Sequence, residues 1–292
     1  MGVIMEIVNM SKENIESLKV LPLKIYNSGG DLLLFRYNNI LRVLKMLNNI
    51  SIEKYQDHIA IIKLLDKYRE CMPKSFVLPE FFVSEDEMIK YFAINYVYGK
   101  NLNVVLRDRK VSIDDKKYYL KEIGNILHQM KDIRKNNELN NFYLGDLHED
   151  NFMVDRQGIL RTIDLDGGKF IENKSPILKY LSGFSLISDC NISKYKFEME
   201  NPYFCRYMVD ENTDIYCYII IILNYLCDGN INNMGINQFY QFINYLNDIG
   251  VDKELLNCFE RIITDGDNIN PYDYIDTLTS NQIKRARAFY KR

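Results

Sequence analysis

Residues 143–168, YLGDLHEDNFMVDRQGILRTIDLDGG, constrain the fold of this chain more than any other stretch. Three polar residues stand at fixed spacing: Asp146, Asn151 five positions later, and Asp164 thirteen after that. Phe152-Met153-Val154 and Ile159-Leu160 fill the intervals with apolar residues, and Gln157-Gly158 separates them as a turn. The pattern predicts loop, short strand, turn, short strand, loop. Such a hairpin returns Asp164 to the side of Asn151. A carboxylate and an amide oxygen are both hard donors, suited to Mg²⁺. Asp146, on the loop just before, would then meet a substrate hydroxyl. The plain alternative is an acidic surface loop.

The stretch resembles the catalytic centre of the protein-kinase-like superfamily. That family's catalytic loop reads H-R-D-L-x-x-x-x-N and its metal-binding motif D-F-G. Here they stand as Leu144-Gly145-Asp146-Leu147-His148-Glu149-Asp150-Asn151 and Asp164-Leu165-Asp166-Gly167. The form G-D-L-H-x-x-N followed by I-D-x-D is closer to small-molecule kinases of the aminoglycoside and choline phosphotransferase type. Upstream, Leu21–Tyr26, Leu32–Arg36 and Ile40–Leu47 read as three strands with Asn27-Ser28-Gly29-Gly30-Asp31 as the first turn. By resemblance, Gly29 and Gly30 belong to a glycine-rich loop and Lys45 is the strand lysine that reaches the α- and β-phosphates. Two adjacent glycines also suit a plain hairpin turn, and a strand lysine can simply be exposed.

Apolar residues at Ile52, Tyr55, Ile59, Ile62, Leu65 and Tyr68 predict a helix over 52–70. In the family this helix carries a glutamate that pairs with the strand lysine. The best register puts His58 there, with Asp57 beside it and Glu53 one turn earlier, and His58 itself reads as a half-buried helix histidine without a chemical role. Val77–Val83 and Met88–Val97 read as two further strands. Ile94-Asn95-Tyr96-Val97-Tyr98-Gly99 resembles the family's hinge, with Ile94 guarding the back pocket and Asn95 and Val97 offering backbone carbonyl and amide to adenine.

Ser112 is a good N-cap for an amphipathic helix over 113–133. Residues 167–210 have little periodicity, and no A-P-E motif is recognisable. Gly145 replaces the H-R-D arginine, so phosphorylation-gated activity is not expected. Glu211-Asn212-Thr213-Asp214 opens a buried helix over 215–227. By resemblance Asp214 holds the catalytic loop by its backbone amides; simple N-capping is the alternative. Residues 236–246, 253–263 and 272–290 read as three more helices.

The resemblance implies an α+β, bilobal, protein-kinase-like fold. A small antiparallel β N-lobe with one helix would span residues 1–98, and a larger, mainly helical C-lobe residues 99–292. The implied reaction moves the γ-phosphoryl group of ATP to a hydroxyl. Asp146, Asn151, Lys45 and His148 are the catalytic candidates. Gly29, Gly30, Lys45, Ile94, Asn95 and Val97 would bind ATP, and Asn151, Asp164 and Asp166 would bind Mg²⁺. His148 either donates to the γ-phosphate or packs under the loop. Three readings stay open: a serine/threonine-type protein kinase of prokaryotic or viral style, a small-molecule phosphotransferase, and a nucleotide-binding pseudokinase scaffold.

Composition narrows the classes. The 292 residues are 47% hydrophobic and 26% charged with net charge −3, which argues against a nucleic-acid partner. The six cysteines lack C-x-x-C spacing and read as reduced, mostly buried thiols. Residues 215–227 are too short to span a bilayer. The expectation is a cytoplasmic protein with no membrane partner, acting on a protein or small-molecule hydroxyl.

Overall fold

The computed structural model describes residues 5–20, 32–47, 52–136, 139, 142–145, 147–167, 169–170, 174–175, 197–201, 204–208, 210–264 and 266–289. The protein is mixed α+β. Its chain divides into two compact units, Met1–Lys100 with Phe152–Gly167, and Asn101–Asn151 with Gly168–Arg292. The hairpin 152–167, which the sequence reading left in the C-lobe, groups with the first unit. Gly29, Gly30, the strand expected at 21–26, and Asp146 lie outside the described residues.

The first unit is built on β1 (Ile7–Asn9), helix α1 (Lys12–Glu16), β2 (Lys19–Val20), β3 (Leu33–Tyr37), β4 (Ile40–Met46), helix α2 (Ile52–Lys67), β5 (Pro79–Glu85) and β6 (Met88–Asn95). The strands form one sheet in the order β1-β5-β6-β4-β3-β2. All neighbours are antiparallel except β1 with β5. Two hairpins explain the register. Asn38 and Asn39 turn β3 into β4 at φ 48° and 63°, and Asp86 and Glu87 turn β5 into β6 at φ 51° and 65°. Paired left-handed residues match the strand twist, and Asn and Asp enter that region at little cost.

Strand alternation sorts the apolar residues onto two faces. On one, Phe35, Leu44, Phe81, Val83, Tyr91 and Ala93 pack around Ile15 of α1. On the other, Phe82 and Phe92 pack with Leu47 against Ile62 of α2, with Tyr55, Ile59 and Ile94 around them. Lys45 is paired with Phe92 across β4 and β6, so it shares the face that α2 covers.

Beyond β6 the chain runs through β7 (Gly99–Asn101), helix α3 (Leu102–Arg107) and helix α4 (Ile113–Asn136), then β8 (Phe142–Tyr143). Ser112 caps α4, its Oγ accepting from Asp115 N at 3.0 Å. β9 (Phe152–Asp155) and β10 (Leu160–Thr162) form the hairpin expected from 143–168, with Val154 opposite Leu160. Asp155 holds the turn by accepting from Gln157 N and Ile159 N, each at 2.9 Å, and Gly158 takes φ 78°. Thr162 then exchanges backbone bonds with Ser75 and Val77, both 2.9 Å, which anchors the hairpin within the first unit.

In the second unit, β11 (Lys169–Phe170) pairs with β8, and β12 (Lys174–Ser175), β13 (Phe197–Asn201) and β14 (Phe204–Met208) form a three-stranded sheet ordered β12-β14-β13. The sequence reading had no strands there. Helices α5 (Glu211–Cys227), α6 (Ile236–Asp248), α7 (Lys253–Arg261) and α8 (Ser280–Ala286) follow. Every residue of α5 from Thr213 to Leu223 is buried. Its N-cap is Asp210, in a capping box with Thr213: Thr213 N donates to Asp210 Oδ1 at 3.0 Å and Asp210 N to Thr213 Oγ1 at 2.7 Å.

The single helix expected over 272–290 is corrected: two short 3₁₀ turns, Pro271–Asp273 and Ile275–Thr277, precede α8. Thr279 restarts the helix, its side chain accepting from Gln282 N. No helix among the described residues is long and apolar enough to cross a membrane. Of the described cysteine side chains, Cys217, Cys227 and Cys258 are buried thiols and Cys71 is exposed.

Candidate active site

Lys45 leaves the covered face of β4 and its ammonium meets two carboxylates that lie over a hundred residues away in sequence. It donates to Asp164 Oδ1 and, at 2.5 Å, to Asp166 Oδ1. The other oxygen of Asp166 faces α2: His58 Nε2 stands 2.9 Å from Asp166 Oδ2. The Phe92 ring completes the wall, 5.4 Å from the Lys45 ammonium and edge-on to the His58 imidazole at 5.6 Å. All four polar residues belong to the first unit.

Exposure separates the two aspartates. Side chains of Lys45, His58 and Asp166 are 14%, 12% and 11% exposed, against 47% for Asp164. Burial alone would lower the lysine's affinity for its proton, but the two carboxylates outweigh it and raise the Lys45 pKa above its ordinary value. Burial likewise pushes the Asp166 carboxyl up, and the Lys45 charge with the His58 contact reverses this, holding it well below the usual carboxylate range. Asp166 is therefore an anion locked between two protein groups. Asp164 lies in the left-handed region at φ 63°, a conformation that costs a non-glycine residue on the order of 1 kcal/mol and aims its carboxylate at the lysine.

This arrangement alters the expected partners of the lysine. Asp57 is exposed on α2 and the Glu53 side chain lies outside the described residues. His58, read from the sequence as having no chemical role, is half-buried and touches Asp166 instead. Asp166, expected beside the metal, has one oxygen on Lys45 and the other on His58.

In the second unit the segment at 144–145 is held by a buried carboxylate. Asp214 of α5 accepts from Leu144 N at 3.0 Å and Gly145 N at 2.8 Å. N-capping falls to Asp210, so Asp214 is left to grip the loop. Gly145 takes φ 79°, where glycine is favoured. Further along, Asn151 closes the 3₁₀ turn Glu149–Asn151, its N–H donating to His148 O at 3.0 Å. Asn101 and Asn103 at the start of α3 tie Asp150 down, through its carbonyl at 3.0 Å and its carboxylate at 3.2 Å. His148 is buried, and its Nδ1 accepts from Asp150 N at 3.2 Å. Nδ1 is thus the acceptor nitrogen of the ring.

The hinge candidates sit at the end of β6. Ile94 packs in the α2-facing cluster, and Val97 is half-buried. The Asn95 side chain points the other way and donates to Glu80 at 3.2 Å. A pocket of about 480 Å³ is lined by Arg69, Phe76, Glu80, Asn95, Tyr98 and Arg161 among others. Val97 also lines it and Lys45 does not.

Among the described residues, no three His, Cys, Asp or Glu side chains cluster to hold a metal. Mg²⁺ needs only one or two protein carboxylates, because water and phosphate complete its shell. Asp164, half-exposed, fits that requirement; Asp166 does not, with both oxygens engaged. No protein-family model matches this sequence, and no curated protein matches it.

Proposed function

We propose that this protein is an ATP-dependent phosphotransferase of bilobal, kinase-like architecture that moves the γ-phosphoryl group to a hydroxyl, most readily a serine or threonine of a protein. The observation that carries the reading is the Lys45–Asp164 pair. A lysine on the covered face of a small sheet meets the aspartate that ends a short hairpin, separated by 119 positions in sequence. Together with the I-D-x-D and G-D-L-H-x-x-N motifs, that pairing fits a phosphate-binding cation beside a metal-binding anion. The grip of Asp214 on the amides just before Asp146 supports the same reading.

In this scheme Lys45 binds the α- and β-phosphates, Ile94, Asn95 and Val97 form the adenine edge, and Gly29 and Gly30 belong to the loop whose backbone N–H groups approach the phosphates. Asp164 and Asn151 would hold Mg²⁺, which supplies charge neutralisation on the β- and γ-phosphates. Asp146 orients the acceptor hydroxyl and takes its proton as the acceptor oxygen bonds to the γ-phosphorus. The bond from that phosphorus to the bridging oxygen breaks, and ADP leaves. His148, with Nδ1 accepting from Asp150 N, either turns Nε2 toward the γ-phosphate or packs under the loop.

The motifs also favour a small-molecule acceptor as a second reading. Gly145 stands where protein kinases carry arginine, and Asp166 where they carry glycine. The scaffold reading rested on the missing helix glutamate; Lys45 nonetheless has two carboxylates.

The test is phosphate transfer from γ-labelled ATP with Mg²⁺, for the wild type and Asp164→Asn. Label appearing on protein, and falling on the order of 10²–10³-fold in the variant, is the expected result. Label appearing only on added amino-alcohols or aminoglycosides favours the second reading. Failure of the wild type to bind ATP refutes both.

A further inference from the structure

His58 and Asp166 are the groups near the proposed site that the phosphotransfer scheme leaves without a task. Each is nearly buried, and together they link three elements. α2 supplies His58, β4 supplies Lys45, and the turn after β10 supplies Asp166. Such a link is costly unless every polar atom is matched, because an unpaired buried charge costs several kcal/mol. Here the matching is good: Lys45 Nζ lies 2.5 Å from Asp166 Oδ1 and His58 Nε2 lies 2.9 Å from Asp166 Oδ2.

We propose that in this chain the carboxylate that positions the strand lysine has moved off helix α2 and onto the turn after Asp164, with His58 as its tether to the helix. Asp166 and His58 are positioning residues; neither touches substrate. The exchange is visible in the residue types. Where the resemblance expects glutamate on the helix and glycine on the turn, this chain has His58 on the helix and Asp166 on the turn. One carboxylate is lost and one gained: Asp166 meets the Lys45 ammonium through one oxygen and His58 through the other.

The geometry also states what the exchange does. A helix glutamate would join Lys45 to α2 alone. Asp166 joins it to the turn that carries Asp164, two residues away, and His58 closes the link back to α2. The lysine, the metal-binding aspartate and the helix are thereby held as one cluster. Phe92 restricts the space, since its ring flanks both Lys45 and His58.

The role in nucleotide binding rests on the phosphotransferase reading, whereas the tie itself does not. Two measurements keep them apart. In the first, a double-mutant cycle of His58→Ala and Asp166→Asn is followed by urea unfolding without nucleotide. The tie predicts non-additivity of about fivefold or more in the folding constant, with His58→Gln, which keeps a donor near the position of Nε2, recovering most of it. Additivity within about twofold overturns the tie.

In the second, a fluorescent ATP analogue is titrated with Mg²⁺ into Asp166→Gly, His58→Glu and the double variant. Asp166→Gly weakens binding about tenfold, the equivalent of one charge-assisted contact. The double variant, which returns the carboxylate to the helix, recovers to within about threefold of the wild type. A double variant no tighter than Asp166→Gly overturns the positioning role. If the wild type itself binds no nucleotide, the phosphotransferase reading falls with that role, and the folding cycle still decides the tie.

Discussion

Replacing Asp214 by asparagine tests whether the buried carboxylate that accepts from Leu144 N and Gly145 N carries a charge at a cost. Asp214 is 1% exposed, and burial is the largest influence on it, pushing its pKa from 3.8 to about 6. Arg134 and the N–H groups of Gly145 and Leu144 pull the other way without cancelling it. A pKa raised on folding means that the protonated form favours the native state. The associated stability is fully present below 3.8 and is lost as pH rises through 6. The full difference is 6 − 3.8 = 2.2 pH units, about 3 kcal/mol. About 2 kcal/mol of it falls between pH 4.5 and 7.5.

Asparagine has no such dependence. Its carbonyl accepts from one of the two N–H groups and its amide faces the other, which costs about 1–3 kcal/mol at either pH. Asp214→Asn is therefore more destabilising at pH 4.5 than at pH 7.5, by about 2 kcal/mol. Urea unfolding of both proteins at both pH values, followed by circular dichroism, measures the difference, and the remaining titrating groups cancel in the comparison. A penalty equal at the two pH values to within about 0.5 kcal/mol, or larger at pH 7.5, would refute the account of a costly buried anion.

Two further substitutions test the packing around that helix. Gly124→Ala in α4 should gain about 1 kcal/mol of helix propensity. The added Cβ, however, would stand 2.8 Å from the Tyr218 hydroxyl and 2.9 Å from Tyr272 Cβ. Overpacking of about 1–3 kcal/mol wins, so the melting temperature falls, and a rise would show that the tyrosines move aside freely. Asp210→Ala removes the side-chain half of the α5 capping box and should cost about 1 kcal/mol; an unchanged denaturation midpoint would show that the cap contributes nothing.

Where local chemistry decided the structure, the sequence was legible. The Asn38-Asn39 and Asp86-Glu87 turns, the Gln157-Gly158 hairpin and the Ser112 cap are all set by residues within four positions of one another. The α2 stripe read well because it buries a face that its own spacing defines, and α5 because its apolar run is buried all round. The stretch 272–290 read as one helix, yet Pro271 starts a 3₁₀ turn, a second begins at Ile275, and the Thr279 cap starts a new helix. The strands Phe197–Asn201 and Phe204–Met208 were missed for a related reason. The flanking residues, such as Phe197-Glu198-Met199-Glu200, have too few β-branched side chains to announce a ladder.

The site divides along the same line. Asp214 was legible because its task follows from standing at the start of a helix in a recognisable motif. The rest required knowing which distant residues share a neighbourhood. Read singly, His58 was a bland helix histidine and Asp166 an extra carboxylate assigned to a metal. Neither assignment is wrong about residue type. What the sequence could not supply is that β4, α2 and the turn after β10 converge on one carboxylate, Asp166. Once they do, electrostatics leaves little choice: a nearly buried lysine requires an anion, and the helix offers it none within the described residues. The nearest buried carboxylate takes that place and is then itself in need of a second donor. His58 supplies it. The departure from the expected helix glutamate is thus a change in which element carries the charge, with the pairing kept, and the double substitution that returns the carboxylate to α2 asks whether the pairing or its location matters to the nucleotide.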